Sequence, residues 1–119
     1  DVVVPRDRIA AFVKKSVEIG KKMQVRICSF GHAGDGNLHI YVCQDGVADE
    51  QWHETVEKVM ERLYSEARLL SGEVSGEHGI GHAKRAFLEE SLGCEQVELM
   101  RGIKKVFDPN GILNPGKVI

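Results

Sequence analysis

The sequence has no C-x-x-C pair, and its three cysteines, Cys28, Cys43 and Cys94, are odd in number. A secreted disulfide framework and a thiolate zinc site are both disfavoured on that ground, and a reducing cytosol fits best. No apolar run approaches the roughly 20 residues that a membrane-spanning helix needs, and the chain does not start with a basic stretch followed by an apolar one, as a signal sequence does. The expectation is a cytoplasmic protein, peripheral to a membrane at most. A charge excess is also missing: 16 Lys and Arg stand against 18 Asp and Glu, a formal net charge of −2. That balance excludes the basic surplus of a nucleic-acid binder, and there is no acidic or basic tail, internal repeat or low-complexity segment.

At 119 residues the chain has room for one domain, residues 1–119. It can bury a real core but is small for a complete cofactor enzyme. It opens without a methionine, directly into Asp1-Val2-Val3-Val4-Pro5, which suggests a piece of a longer protein.

What is present is a pair of glycine-rich motifs. Gly31-His32-Ala33-Gly34-Asp35-Gly36-Asn37-Leu38-His39 lies between two segments with strand character, Gln24 to His32 and Leu38 to Cys43. Gly34 to Asn37 is rich in residues that tolerate positive φ at a hairpin turn. If those four residues form the turn, His32 lies opposite His39, with Cβ atoms about 5 Å apart, so both imidazoles can reach one ion at roughly 2.1 Å per bond. Alternation puts Val25, Ile27, Leu38, Ile40 and Val42 on a core face, and Arg26, Cys28, Phe30, His32, His39 and Tyr41 on the other. In the same register Cys28 faces Cys43, two thiols that air could join. A tight turn whose histidines only cap a sheet edge is the plainer alternative.

The second motif, Ser75-Gly76-Glu77-His78-Gly79-Ile80-Gly81, adds a carboxylate. Two histidines and one carboxylate suffice for a divalent metal if open positions remain for substrate. Glu77 is the candidate third ligand. On an extended chain the adjacent His78 points elsewhere, which suits a base beside the metal better than a fourth ligand. An ion that polarises an alcohol oxygen, next to an imidazole, is an arrangement that removes a hydroxyl proton. Reading the same glycines as a phosphate loop fits less well: the order is G-x-x-G-x-G, no Gly-Lys-Ser/Thr follows, and Glu77 would repel phosphate.

Helical periodicity appears over Asp7 to Met23, with Ile9, Phe12, Val13, Val17 and Gly20 on one stripe, and over Asp49 to Leu70, with Trp52, Val56, Val59, Leu63, Ala67 and Leu70. Trp52 reads as core rather than as a cofactor platform. A strand over Glu73 to Glu77 follows, then helices over Ala83 to Leu92 and Glu95 to Phe107 separated by Gly93, and Asp108-Pro109-Asn110-Gly111 ends the last one with turn residues. His53 and His82 fall on predicted helices and receive no role. The order strand, helix, strand, strand, helix, strand predicts an α+β fold, a ferredoxin-like antiparallel sheet with helices on one face, followed by C-terminal helices. With the second and fourth strands running the same way, His32, His39 and Glu77 fall at one end. Those strands are edge strands about 14 Å apart, so the loop from Gly76 to Gly81 must curl across the strand ends.

The motifs GHAGDGNLH and SGEHGIG, with the ending Phe107-Asp108-Pro109-Asn110-Gly111-Ile112-Leu113-Asn114-Pro115-Gly116-Lys117, resemble the C-terminal part of the FAD-linked oxidases of the glycolate oxidase and D-lactate dehydrogenase type. Asp1-Val2-Val3-Val4-Pro5-Arg6 is similar to the start of the second half of their substrate domain, so the resemblance covers nearly the whole chain. It implies that His32, His39 and Glu77 bind a divalent metal such as Zn, Mn or Fe, that His78 is the general base on a D-2-hydroxy acid, and that Asn114 approaches the flavin ring, which takes the hydride.

It also implies that FAD sits mainly in an upstream domain absent here and that these residues alone are inactive; the electron acceptor is left open among a quinone, an iron-sulfur subunit and an electron-transfer flavoprotein. A homo-oligomer is compatible with it. In the D-2-hydroxyglutarate branch an asparagine usually stands where this chain has Tyr41, which favours glycolate or lactate. A stand-alone metal-binding or interaction module without catalysis, or an iron oxygenase using the same three ligands as a facial triad, are the alternatives.

Overall fold

The computed structural model describes residues 1–119, and they form two compact units, Asp1–Glu77 and His78–Ile119. The first holds strand β1 (Val2–Val3), a 3-10 turn over Arg6–Arg8, helix α1 (Ile9–Met23), strands β2 (Arg26–His32) and β3 (Asn37–Cys43), and helix α2 (Asp49–Leu69). The sheet order is β1-β3-β2, antiparallel throughout. A single antiparallel bridge, Val3 to Glu73, adds the segment after α2 beyond β1. The architecture is the α+β one expected, with the ferredoxin-like strand order and a fourth strand reduced to one bridge.

Helix α1 ends where Gln24 turns left-handed at φ 56° and its N–H, like that of Val25, bonds the Gly20 carbonyl, a closure that satisfies otherwise orphaned carbonyls. Asp49 and Glu50 in the first turn of α2 and Lys21 and Lys22 in the last turn of α1 complement the helix dipoles. Helix α1 packs on β2 and α2, and α2 on β1. The core between them is Val2, Val4, Phe12, Ile19, Val25, Leu38, Val59, Leu63, Tyr64 and Ala67. Burial pushes the Tyr64 phenol up to about 12, because an interior of low polarity disfavours the phenolate.

The expected stripe on α1 is rotated. Ser16 and Ile19 are buried while Val17 is exposed, and Ser16 satisfies its hydroxyl by donating to the Val13 carbonyl at 2.8 Å. The expectation that the second and fourth strands run the same way is also overturned. Strand β2 is antiparallel to β3 and β3 to β1, so β2 runs with β1, whereas the Glu73 bridge is antiparallel to β1.

The hairpin register differs by two residues from the expected one. His32 pairs with Asn37 and Phe30 with His39, so the turn is residues 33–36. Gly36 explains the shift: it takes φ +78°, its carbonyl accepts the Val4 N–H at 3.0 Å, and a Cβ there would lie 2.0 Å from the Val4 carbonyl oxygen. No other residue closes the turn there, and Asn37 is left to enter β3 opposite Val3. A two-residue slip preserves the faces, whereas a one-residue slip would exchange them. Cys28 is opposite Tyr41, not Cys43, and both thiols are free.

The second unit contains helices α3 (Arg85–Leu92) and α4 (Cys94–Phe107), broken at Gly93, whose φ is +86°. Helix α3 starts two residues later than the periodicity suggests, and His82 lies in the turn before it rather than on a helix. No helix in either unit is long and apolar enough to cross a membrane.

Candidate active site

On the hairpin face that carries no core residues, pairs offset by two positions draw together. Cys28 interacts with Cys43, Phe30 with Tyr41 and His32 with His39. The right-handed twist of a two-stranded ribbon favours one diagonal over the other, and all three pairs lie on it. The Phe30 and Tyr41 rings stack at 5.0 Å and 18°, and both are exposed. The two imidazoles meet edge to face at 5.5 Å, and Phe30 lies 5.8 Å from His39. Desolvation raises the Cys43 thiol above its ordinary range.

Glu77 reaches these histidines because the chain leaves the sheet after the Glu73 bridge and bends over Asn37. Gly76 makes the bend possible, since a Cβ there would lie 2.5 Å from Asn37 Oδ1. Asn37 is buried and has little room to yield. The Glu77 Oε1 atom is 3.3 Å from His32 Nε2 and 3.1 Å from His39 Nε2. The three donor atoms all lie within 4.8 Å of one another. His39 is the buried member, its side chain 10% exposed, while His32 at 58% and Glu77 at 49% leave the other side open.

Asp1 joins this site, a residue that neither glycine-rich motif includes. Its side chain is 1% exposed, with Oδ1 3.9 Å from His39 Nδ1. The Oδ2 atom accepts hydrogen bonds from Ser75 Oγ at 2.8 Å, the Gly76 N–H at 3.0 Å and the Glu77 N–H at 3.3 Å. The signal available in the sequence was a carboxylate directly ahead of an apolar strand, which alone does not reveal a partner 74 residues away.

His78 is the first residue of the second unit and is exposed. Farther along, Gly81 accepts the Val118 N–H at 2.7 Å, and His82 Nδ1 lies 3.4 Å from the Gly116 carbonyl oxygen. These contacts tie the turn before α3 to the C-terminal segment. Burial holds the Lys84 ammonium below its usual range.

Asn114 is exposed in that segment at φ 47°, a left-handed conformation that asparagine accepts better than most residues, and its carbonyl accepts the Lys117 N–H at 3.2 Å. The turn leading to it is built on Asp108, which is buried. Its carboxylate accepts the Lys104 ammonium at 2.9 Å and the N–H groups of Ile112 at 2.8 Å and Leu113 at 3.0 Å. Lys104 also donates to the Leu113 carbonyl at 2.8 Å. The Lys104 hydrogen bond, helped by the two backbone donors against desolvation, holds Asp108 below the usual carboxylate range.

Residues 1–118 match the family described as FAD linked oxidases, C-terminal domain. The chain is 48% identical over 118 residues to a D-lactate dehydrogenase of Anaerostipes hadrus, covering 99% of this chain and 25% of that protein. It is 42% identical over 118 residues to the glycolate oxidase subunit GlcD of Bacillus subtilis, again 99% and 25%. A D-lactate dehydrogenase of Archaeoglobus fulgidus is 44% identical over 119 residues, 100% of this chain and 26% of that protein. The chain thus spans about a quarter of the length of these relatives, and it belongs to the family of FAD-linked oxidase C-terminal domains.

Proposed function

We propose that residues 1–119 act together as the substrate-binding and metal-binding part of a flavin-dependent D-2-hydroxy acid dehydrogenase or oxidase, which converts D-lactate or glycolate to the 2-oxo acid. The observation that carries this reading is the convergence of His32, His39 and Glu77, whose donor atoms lie within 4.8 Å of one another in a chain of this family. Two imidazole nitrogens and a carboxylate oxygen, closed on the His39 side and open on the other, fit a divalent ion that keeps positions for substrate.

When bound, the ion supplies Lewis acidity toward the substrate hydroxyl, and FAD supplies the acceptor for the hydride from the substrate carbon. His32, His39 and Glu77 hold the ion. The His78 imidazole accepts the hydroxyl proton at a ring nitrogen, as a general base does. Asn114 supports the flavin from the C-terminal turn that Asp108 organises. The exposed Phe30 ring, 5.8 Å from His39 and stacked on the exposed Tyr41, favours a short, uncharged substrate side chain, as in lactate or glycolate, over the second carboxylate of hydroxyglutarate.

The test uses the full-length protein under anaerobic conditions. D-lactate or glycolate should bleach the flavin absorbance, L-lactate should not, and chelation of the metal or the double variant His32→Ala, His39→Ala should abolish the bleaching. Undiminished bleaching in the metal-free protein would remove the metal from the reaction.

A further inference from the structure

We propose that Asp1 is a positioning residue for this centre: its carboxylate fixes the bend that presents Glu77 and backs the His39 imidazole from the side opposite Glu77. The inference rests on reading His32, His39 and Glu77 as a metal site.

A carboxylate withdrawn from water, as the 1% exposure of the Asp1 side chain indicates, has to be matched by donors or charge. The donors it has found are specific. Ser75 Oγ, the Gly76 N–H and the Glu77 N–H all converge on one oxygen, Oδ2. They come from three consecutive residues, and the last is the candidate ligand itself, so the restraint acts on the backbone that carries the Glu77 side chain. Sheet pairing does not supply this restraint, because the bridge to β1 is at Glu73. A carboxylate that collects hydroxyl and backbone N–H donors holds such a bend with charge-assisted hydrogen bonds.

The other oxygen, Oδ1, stands 3.9 Å from His39 Nδ1, while His39 Nε2 stands 3.1 Å from Glu77. The first distance exceeds a direct hydrogen bond, but it sets a negative charge behind the ring nitrogen that faces away from the candidate ion. A carboxylate placed behind a ligating histidine favours the ring orientation that turns the other nitrogen toward the ion. A single buried side chain thus bears on two of the three ligands, one through the backbone and one through charge.

The test is metal affinity in the full-length protein. The metal-free protein is titrated with Co2+ against a chromophoric chelator, and the visible Co2+ spectrum and the metal-free thermal midpoint are recorded for each variant. Asp1→Ala should weaken Co2+ binding by about 10- to 100-fold, the range for loss of a group that orients a metal ligand. Asp1→Asn, which keeps an acceptor for the bend but loses the charge behind His39, should fall between parent and Asp1→Ala and alter the Co2+ spectrum. Ser75→Ala, which removes one donor and leaves Asp1 in place, should weaken binding by a smaller factor, and with Asp1→Asn it decides the matter if Asp1→Ala does not fold.

The proposal is overturned if the Asp1 variants lower the metal-free midpoint yet bind Co2+ as the parent does while His39→Ala does not, because Asp1 then serves only the fold. If the parent itself binds no Co2+, or His32→Ala, His39→Ala and Glu77→Ala leave its affinity unchanged, the metal reading fails and the role of Asp1 falls with it.

Discussion

A carboxylate that accepts several charge-assisted hydrogen bonds stays ionised at a lower pH than a free one, and Asp108 does so at the turn that leads to Asn114. Its pKa is depressed in the folded chain, first by the Lys104 hydrogen bond. The stabilisation is therefore fully present above the ordinary carboxylate value near 4 and is lost as pH falls through the lower folded value. Amide exchange at Ile112 and Leu113, whose N–H groups Asp108 accepts, should show protection near neutrality that disappears below that window. Asp108→Asn should be less protected at pH 7 and lose this pH dependence. Equal profiles for parent and variant would show that the carboxylate does not hold the turn. For the proposed reaction the corresponding single-residue test is His78→Ala in the full-length enzyme, expected to slow the chemical step by about 10² to 10⁴ as for loss of a general base. Flavin occupancy should stay near normal, and an unimpaired variant would require another base.

Strands and helices carry a different kind of prediction, because their cost is set by burial. Leu38 on β3 is buried and Ile40 two residues on is half-buried, so Leu38→Ala should cost about 2 to 5 kcal/mol and Ile40→Ala less. Denaturant unfolding measures both, and a larger loss at Ile40 would contradict the packing. The alternation that puts these residues on the core face was readable in the sequence, as were the two long amphipathic helices, since periodicity records which face is dry. The register was not readable. Asn37 and Gly36 both tolerate a turn, and the choice between them is made by the Val4 backbone, distant in sequence, which packs where a Cβ at position 36 would stand. Ser16 was missed because a hydroxyl bonded to its own helix can be buried without penalty in a polar-looking position. The segment from Glu73 to Glu77 looked like a strand, yet β1 is only Val2–Val3 and offers little edge to pair with. The triad was legible as three residues in two motifs. The bend that assembles it depends on Asp1 and on the contact of Gly76 with Asn37, which no local pattern encodes.

At the scale of the protein, the second unit exposes Leu99, Ile103, Val106 and Phe107 on α4 and Ile112 and Leu113 beyond it. Leu99, Ile103 and Val106 recur at helical spacing, and apolar surface grouped in this way is uncommon on a self-sufficient soluble domain. The family relatives are about four times as long as this chain, so the proposed enzyme has ample further polypeptide to cover that surface and hold the flavin. Purified residues 1–119 should accordingly contain no FAD and show no dehydrogenase activity with D-lactate or glycolate, and the full-length protein should show both. Within the full-length protein Asn114→Ala should shift the flavin absorbance or fluorescence while leaving metal content unchanged, because its place is the C-terminal turn and not the hairpin. His39→Ala should do the reverse, losing metal and keeping the flavin spectrum. A yellow, active preparation of residues 1–119 would overturn the assignment of flavin binding to the rest of the protein, and an Asn114 variant with an unaltered spectrum would detach that turn from the flavin.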